Sequence, residues 1–454
     1  MKFPKGKQMT RFIKVAAAAT AAMLALAACG GSDDGKTDTG TSGGGISAAD
    51  VDAALAKGGS LTVWAWDNTI KNVVASFQTK YPNVKVELVN AGTGDKQYTA
   101  VQNAIAAGSG VPDVAQIEYY ALPQFALAKS IADIGGYGAS GLQSTFTPGP
   151  WNAVTMGGSA VYGLPIDSGP MALFYNKEVF DKHSIAVPAT WAEYVEAARK
   201  LHKADPKVYI TGDTGDAGFT TSMIWQAGGK PFQTEGTNVT INLADAGSAK
   251  FASTWQPMIT EKLVASIPPW SDEWFKALAD GTIASLPTGA WMPNNLVTGS
   301  AAASGKWRVA PMPQWEAGGK ASAENGGSSL AVPEKSANKA LAYAFVKYAA
   351  VDEGKDSRIK EGAFPATTAD LAKPEFLNAE FKYFGGQKAN EIFAQSAQNV
   401  VTGWSYLPFQ VYANSIFNDT AGKAYVSSTT LADGLKAWQD QSAKYGTEQG
   451  FTVK

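Results

Sequence analysis

Strand-like and helix-like patterns of apolar residues alternate along the chain from about residue 59. The predicted strands are residues 61 to 66, 84 to 89 and 114 to 117. Between them, apolar side chains recur at helical spacing over residues 70 to 81 and 98 to 107, and Gly108 ends the second helix. This alternation predicts βαβ units and a parallel sheet, with ligands bound beyond the carboxyl ends of the strands.

A second α/β region is predicted from about residue 167. Residues 173 to 175 are typical of a strand, and Thr190 with Glu193 forms a capping box before a helix that carries Trp191 on its apolar face. The later predictions are a helix over 274 to 278 ended by Gly281, a strand over 282 to 286, a loop over 288 to 291, and helices over 341 to 348 and about 430 to 444.

Composition excludes several classes of function. The chain of 454 residues is long enough for two or three domains, and 38 basic against 40 acidic residues make nucleic acid an unexpected partner. Cys29 is the only cysteine, and His183 and His202 are the only histidines. Disulfide frameworks, cysteine-based zinc sites, Cys–His nucleophiles and HExxH helices are therefore impossible. We expect no metal site, no cofactor and no catalytic residue.

The N-terminus has the pattern of a targeting signal. Five basic residues precede an apolar run from Val15 to Ala28, which is shorter than the roughly 20 residues of a membrane span and typical of a secretory signal peptide. The run ends in Leu26-Ala-Ala-Cys29, which resembles the lipobox of bacterial lipoproteins. That resemblance implies cleavage before Cys29 and a lipid on its thiol. The alternative is an ordinary secretory signal with an incidental cysteine.

A polar tether follows the signal. Residues 30 to 45 consist of Gly, Ser, Thr, Asp and one lysine, a composition that favours a flexible chain. Gly30 to Thr37 matches the letters of a P-loop, but no strand precedes it and no helix follows, so we interpret the match as coincidence. We assign residues 1 to 28 to the signal peptide and 29 to 58 to the lipidated cysteine and tether, with a folded body that begins near Ser47 or Gly59.

Eight short motifs, taken in order, resemble the extracellular solute-binding proteins of bacterial ABC sugar importers, the group that includes maltose-binding protein. The motifs are Gly59 to Trp66, Tyr81 to Val86, Pro112 to Tyr119, Tyr162 to Asp167, Leu173 to Glu178, Pro188 to Trp191, Thr288 to Trp291 and Gly326 to Val332. The resemblance implies an α/β, two-lobed periplasmic-binding-protein fold of type II, with hinge segments and a ligand cleft between the lobes.

By that resemblance, residues 59 to 166 and 312 to 362 form one lobe, and residues 167 to 311 and 363 to 454 form the other. The implied function is capture of an oligosaccharide by hinge closure and its delivery to a membrane permease, with no bond made or broken. The implied partners are the sugar, the transmembrane subunits of the permease, and the outer face of the cytoplasmic membrane through the lipid on Cys29. We expect a monomer, because opening and closing needs no second subunit.

Candidate ligand residues follow from the chemistry of sugars. The C–H faces of a pyranose stack on aromatic rings, and its hydroxyls pair with short polar side chains. Loop tryptophans beside polar residues, together with polar residues just past predicted strands, are therefore candidates. The family motifs add Asp167 and the glycine pair Gly326 and Gly327. The resemblance also implies an aromatic near the ligand at the position of Trp225. The complete set of candidates is Trp66, Asp67, Asn68, Glu118, Tyr119, Asp167, Trp225, Trp270, Trp291, Gly326, Gly327 and Trp404. By contrast, Trp64, Trp191, Trp274 and Trp438 lie on predicted strand or helix faces and are interpreted as core.

Each candidate has a structural alternative. Trp270 and Trp404 would otherwise pack within a lobe, the glycine pair would form a simple turn, and the carboxylates of Asp67, Glu118 and Asp167 would cap helices or pair across the hinge.

Two functional alternatives also remain open. One is an anchored glycoside hydrolase with paired carboxylates about 5 to 9 Å apart, such as Glu118 with Asp167 or Asp272 with Glu273. The other is a binding protein for a polyol, a sugar phosphate or a polyamine. A phosphate would need arginine or lysine at the cleft, and a polyamine would need several carboxylates around an aromatic box.

Overall fold

The computed structural model describes residues 47–454. The predicted signal peptide, the lipobox with Cys29 and the tether up to residue 46 lie outside the described residues. The end of the predicted tether needs correction, because residues Ala48–Lys57 form a helix. Val51 of this helix is buried in the core, and the Asn83 side-chain amide donates to the Leu55 carbonyl at 3.0 Å. These contacts offset the entropy of ordering the segment.

The folded body consists of helices and strands that alternate along most of its length. The helices are α1 Ala48–Lys57, α2 Ile70–Lys80, α3 Asp95–Ala107, α4 Leu122–Leu127, α5 Pro148–Thr155, α6 Lys177–Lys182, α7 Trp191–Ala204, α8 Ala217–Gln226, α9 Ala246–Thr260, α10 Asp272–Asp280, α11 Met292–Gly299, α12 Lys339–Ala350, α13 Glu353–Lys360, α14 Thr368–Leu371, α15 Pro374–Leu377, α16 Ala389–Gln398, α17 Gln410–Ser415 and α18 Leu431–Glu448. The strands are β1 Gly59–Trp64, β2 Val84–Val89, β3 Val114–Glu118, β4 Leu164–Pro165, β5 Met171–Asn176, β6 Thr211–Gly212, β7 Phe232–Glu235, β8 Asn238–Ile241, β9 Val264–Ala265, β10 Ser285–Gly289, β11 Trp307–Ala310, β12 Ser328–Ala331 and β13 Thr452–Val453.

The first sheet has the strand order β2-β1-β3-β12-β4. β1 is parallel to both β2 and β3, so the βαβ prediction is confirmed for these strands. The sheet as a whole is mixed, because β12 runs antiparallel to β3 and β4. Ser328 at the start of β12 pairs with Glu118 at the carboxyl end of β3, so the chain enters this sheet beside the predicted site.

The second sheet, with the order β10-β5-β11, is antiparallel and separates two cores. Successive β5 side chains point to opposite faces of the sheet, so Met171 and Leu173 pack in one core while Ala172 and Phe174 pack in the other. The predicted loop over 288 to 291 is wrong in its first half, because β10 continues through Gly289 by pairing with Met171.

The chain passes between cores at two adjacent segments. We call residues 167 to 170 the first crossing segment and residues 324 to 327 the second crossing segment. They run side by side in opposite directions, and the Asn325 N–H donates to the Gly169 carbonyl at 2.8 Å. The first core draws on residues 51 to 166 and 330 to 350, and the other two cores take up most of the rest.

The contacts around residue 312 differ from the predicted lobe boundary. Met312 and Ala323 pack in the core that also contains Met171, so residues 312 to 323 do not belong with the first core, where the sequence placed them. Ala366 packs in the first core, although the prediction assigned it to the other lobe. We therefore propose that the return to the first lobe occurs at the second crossing segment.

Candidate functional site

A cavity of about 420 Å³ opens beside the second crossing segment. It is lined by residues of the first sheet, of the crossing and of the region that contains the other two cores. The lining residues are Glu118, Tyr120, residues 211 to 219, Thr221, Ser222, Trp255, Pro269, Trp270, Trp274, Leu286, Pro287, Thr288, Trp291, Met292, Asn325, Gly326, Gly327, Tyr406, Gln410, Asn414, Phe417 and Asn418. The cavity thus joins aromatic rings to short polar side chains, the combination predicted for a sugar site.

Three tryptophans form one wall of the cavity. The ring of Trp270 lies 5.4 Å from that of Trp274 and 5.7 Å from that of Trp291, measured between centroids. Trp291 precedes α11 and donates its Nε1–H to the Asn325 carbonyl at 2.6 Å. This bond fixes the ring against the second crossing segment. Trp274, which the sequence assigned to the core, is buried and also lines the cavity.

Gly326 and Gly327 bring backbone directly to the cavity. Their φ values of +79° and +104° fall in the region that favours glycine. A Cβ at Gly327 would lie 2.5 Å from the Tyr119 ring, and one at Gly326 would lie 3.2 Å from the Trp291 indole nitrogen. Side chains at either position would displace these rings.

Glu118 ends β3 and supplies a carboxylate to the cavity. The Tyr98 hydroxyl donates to Glu118 Oε2 at 2.8 Å and accepts from the Glu118 N–H at 3.0 Å. Burial raises the pKa of Glu118 to about 7, against the opposing effect of hydrogen bonds from Tyr98 and Tyr120. Near neutral pH this group is therefore able to act as a hydrogen-bond donor or acceptor.

Asp213 is a second buried carboxylate in the cavity wall, and the sequence analysis missed it. It accepts from Trp255 Nε1 at 2.8 Å, from the Tyr425 hydroxyl at 2.7 Å and from the Gly215 N–H at 2.9 Å. Burial raises its pKa to about 6 despite these bonds. The signal in the sequence was the Gly- and Asp-rich run from Thr211 to Asp216 immediately after an apolar segment.

Trp66, Asp67 and Asn68 lie outside the cavity lining. The Trp66 ring packs edge-on against Tyr98 at 6.1 Å, and the Asn68 side chain is exposed. Asp67 forms an ion pair with Arg358 at 2.7 Å. Burial by itself would raise the pKa of Asp67, but the guanidinium and hydrogen bonds from Thr69 outweigh it and hold the pKa below its usual value.

Tyr119 and Asp167 do not line the cavity. They stabilise the position of the first crossing segment instead. The Tyr119 hydroxyl donates to the Asp167 carbonyl at 2.6 Å, and the Asp167 carboxylate accepts from the Ser328 N–H at 2.6 Å. Each contact ties the first crossing segment to the first sheet. Asp167 therefore fits the structural alternative considered for it, which was pairing across the hinge.

Trp225 and Trp404 also lie outside the cavity and stack on each other. Their centroids are 5.1 Å apart and their planes differ by 5°, while Trp225 Nε1 donates to the Val401 carbonyl at 2.6 Å. Both side chains are buried. Packing within the lobe, the alternative considered for Trp404, accounts for both residues.

Four buried carboxylates have raised pKa values. We therefore expect the ligand-free protein to be more stable against unfolding at acidic pH than at neutral pH. Burial raises the pKa of Glu118 and Glu324 to about 7 and that of Asp167 and Asp213 to about 6. These groups hold protons more tightly in the folded chain than in the unfolded chain, so their ionisation destabilises the fold as the pH rises from about 5 to about 8. We expect the free energy of unfolding to fall by ~1 kcal/mol or more over that range in denaturant titrations.

The Glu324→Gln variant isolates one of these groups. Glu324 is 3% exposed and accepts from the Gly169 N–H at 2.6 Å and the Ser168 hydroxyl at 2.9 Å. Its removal should flatten the pH dependence, whereas the surface variant Asp440→Asn should leave the slope unchanged. A stability that rises from pH 5 to pH 8 in the unmodified protein would contradict this assignment.

The charged side chains that line the cavity are all acidic. Its lining includes Glu118, Asp213 and Asp216, and among these described lining residues there is no lysine, arginine or histidine. The carboxylate pairs considered for hydrolysis do not meet there, because Asp167, Asp272 and Glu273 are not part of the lining.

Within residues 47–454, no cluster of three or more histidine, cysteine or acidic side chains is arranged to hold a metal ion. In the same residues, no helix combines the length and apolar character needed to cross a bilayer.

Comparison with solved structures identifies the architecture. The chain is 50% identical to the ABC transporter associated binding protein of B. animalis subsp. lactis in complex with β-1,6-galactobiose, with 87% of this chain and 99% of that chain covered and a TM-score of 0.80. It is 26% identical to the galacto-N-biose-/lacto-N-biose I-binding protein of Bifidobacterium longum in complex with lacto-N-biose, over 88% and 99% of the two chains, with a TM-score of 0.76. The predicted two-lobed α/β fold is thereby confirmed.

Comparison of sequences gives the same result as comparison of structures. The chain is 26% identical over 430 residues to the lactose-binding protein of Rhizobium radiobacter, covering 88% of this chain and 97% of that protein. The profile of the bacterial extracellular solute-binding proteins matches residues 64–356, which is more than half of the chain. The chain therefore belongs to the family of bacterial extracellular solute-binding proteins.

Proposed function

We propose that this protein is the substrate-binding component of an ABC importer and that its cavity captures a short, uncharged oligosaccharide. The single observation that carries the proposal is the cavity at the second crossing segment. It combines the Trp270–Trp274–Trp291 wall with Glu118 and Asp213, and its described lining has no basic side chain. Aromatic faces and carboxylate acceptors suit a neutral sugar, whereas a sugar phosphate would need a cation to pair with.

The substrate class that we propose is a galactose-containing disaccharide or a short extension of one. Three relatives support this class. Two of them are solved in complex with β-1,6-galactobiose and with lacto-N-biose, and the third is a lactose-binding protein. All three sugars contain a β-linked galactose unit. At 50% identity over nearly the whole of its length, the B. animalis protein weighs most in this choice.

The mechanism we propose is closure of the two lobes on the sugar without chemical change. The second crossing segment, which joins the lobes, also carries cavity residues, since Asn325, Gly326 and Gly327 line the cavity. A ligand that contacts both lobes binds the closed state better than the open one, so it shifts the population toward closure. The permease would then recognise the closed form. We propose no enzymatic activity.

The location that we propose is the outer face of the bacterial cytoplasmic membrane. The secretory pattern of residues 1 to 28 and the lipobox at Cys29 support a lipid anchor on a tether. We further propose that the protein acts as a monomer whose partners are the sugar and the transmembrane subunits of the permease.

A thermal-unfolding screen tests the proposal. The panel contains β-linked galactobioses, lactose and lacto-N-biose, with polyols, sugar phosphates and a polyamine as the competing classes. A ligand at 100 times its dissociation constant adds about 2.7 kcal/mol to stability, which raises the melting temperature by several degrees. We expect shifts with the neutral galactosides alone. A shift with the phosphates or with the polyamine, and none with galactosides, would overturn the proposed substrate class.

A further inference from the structure

Asp213 is held in the cavity wall by three hydrogen bonds that occupy its two oxygens unequally. Trp255 Nε1 and the Tyr425 hydroxyl both donate to Oδ2, at 2.8 and 2.7 Å, and the Gly215 N–H donates to Oδ1 at 2.9 Å. A carboxylate has about four acceptor positions, two on each oxygen. One position on Oδ1 therefore remains for a ligand, and Asp213 lines the cavity.

Tyr425 contacts the wall of the cavity without lining the cavity itself. It ends the 3₁₀ helix Ala421–Tyr425, and its ring packs against Gly215, where a Cβ would lie 3.1 Å from ring atom Cδ2. Gly215 also has a φ of +89°, which favours glycine. The missing side chain at this position is what lets the Tyr425 hydroxyl reach Asp213.

The Tyr425 hydroxyl is the main group that keeps Asp213 ionised. Burial raises the pKa of Asp213 to about 6, and the hydrogen bond from Tyr425 is the largest effect that opposes this rise, ahead of the bonds from Gly215 and Trp255. Burial and the negative charge of Asp213 in turn raise the pKa of the Tyr425 hydroxyl well above its usual value. The hydroxyl therefore remains a donor over the whole range in which Asp213 titrates.

The other titratable groups near Asp213 do not replace this donor. Asp216 lies on the same loop, and its negative charge adds to the rise in the pKa of Asp213. The Tyr194 hydroxyl is engaged with the Ser285 hydroxyl at 2.9 Å. Glu118 lines the same cavity and is another acid, and no basic side chain is among the described lining residues. Asp213 thus depends on neutral donors and not on a counterion.

We propose that Tyr425 is a positioning residue for sugar capture, because it holds Asp213 in the ionised form in which Oδ1 accepts a hydrogen bond from a sugar hydroxyl. This inference rests on the proposed function. A protonated carboxyl is a weaker acceptor than a carboxylate, so acid should weaken binding as Asp213 takes up its proton. Loss of the Tyr425 hydroxyl removes a bond that favours the ionised form, and the weakening should then begin at a higher pH.

Titration calorimetry with β-1,6-galactobiose from pH 5 to pH 9 tests the inference. For the unmodified protein we expect an affinity roughly 3- to 10-fold lower at pH 5 than at pH 8. Tyr425→Phe retains the ring and removes the donor, so the midpoint of this fall should move upward by about one pH unit. At pH 6 the variant should bind roughly 3- to 5-fold more weakly than the unmodified protein, and at pH 8 the two affinities should agree within about 2-fold.

Three further measurements separate this effect from others. Tyr383→Phe removes a buried hydroxyl that pairs with Ser300 at 2.8 Å outside the cavity lining, and it should leave the pH profile unchanged. On an Asp213→Asn background, Tyr425→Phe should no longer move the midpoint, since no carboxyl is left to titrate at this position. Carbon-13 NMR of the Asp213 carboxyl in the sugar-free proteins should show a higher titration midpoint in Tyr425→Phe than in the unmodified protein.

Each outcome bears on a definite claim. Equal weakening by Tyr425→Phe at every pH would assign Tyr425 a structural role alone and would overturn the inference, as would a profile that does not move. If Tyr425→Phe does not fold, Asp213→Asn decides: an affinity that falls with acid as steeply in Asp213→Asn as in the unmodified protein would overturn the inference. Absence of galactobiose binding by the unmodified protein at any pH would overturn the proposed function itself.

Discussion

Replacement of Arg358 by methionine is expected to lower the free energy of unfolding by about 3 to 5 kcal/mol, the usual cost of removing one member of a buried ion pair. Arg358 lies on α13 and is 2% exposed. It donates to the Asp67 carboxylate at 2.7 Å, to the Thr69 hydroxyl at 3.1 Å and to the Ile166 carbonyl. Methionine would fill part of the volume but would leave Asp67 buried without its partner. Urea unfolding at pH 7 measures the loss.

Two further variants identify the cause. The double variant Asp67→Asn with Arg358→Met removes the uncompensated charge and should recover part of the stability. Lys436→Ala breaks an exposed pair with Asp440 and should change stability by less than about 1 kcal/mol. If Arg358→Met and Lys436→Ala had similar small effects, the ion pair at Asp67 would have no structural role, and a direct role of Asp67 in ligand binding would regain support.

Replacement of Trp291 by alanine is expected to weaken disaccharide binding by roughly 30- to 1,000-fold, as for truncation of a central aromatic anchor. The substitution removes a face of the cavity wall and the bond from Nε1 to the Asn325 carbonyl. The loss of that bond also frees the second crossing segment, since Gly326 packs against the same indole. Titration calorimetry at constant pH measures the affinity, and thermal unfolding without sugar establishes that the variant is folded.

Phenylalanine at position 291 separates the two contributions. Trp291→Phe retains an aromatic face but has no N–H for Asn325, so its affinity should lie between those of the unmodified protein and the alanine variant. Trp225→Phe is the matched control, because Trp225 stacks on Trp404 outside the cavity and its loss should affect stability more than affinity. A Trp291→Ala variant that bound the disaccharide within about 3-fold of normal would contradict the proposed wall.

The sequence predicted best those features that depend on nearby residues. β2 has the predicted bounds, and α3 ends before Gly108, whose φ of +69° is the left-handed conformation expected of a C-cap. Trp270, Trp291 and Glu118 line the cavity, and each of them follows or precedes an element that the sequence pattern predicted. The positions of these three residues depend on local patterns, which a single sequence contains. The glycine pair was instead identified through a motif that resembles the family.

Contacts between distant segments were not predictable in the same way. Asp67 looked like a ligand residue because it follows β1, but its partner Arg358 lies 291 residues further along the chain. Trp404 was a candidate because polar residues adjoin it, and Trp225 was a candidate through the family resemblance, but their mutual stacking depends on a tertiary contact. Asp213 was overlooked because its environment is built by Trp255 and Tyr425, neither of which is close to it in sequence.

Titration calorimetry of the purified protein with β-1,6-galactobiose tests the central claim most directly. The account predicts one binding site per chain, a dissociation constant in the micromolar range or tighter, and recovery of the disaccharide unchanged after the titration. Folded protein that releases no heat with millimolar galactobiose and shows no competition between it and lactose would contradict the account, as would cleavage of the sugar.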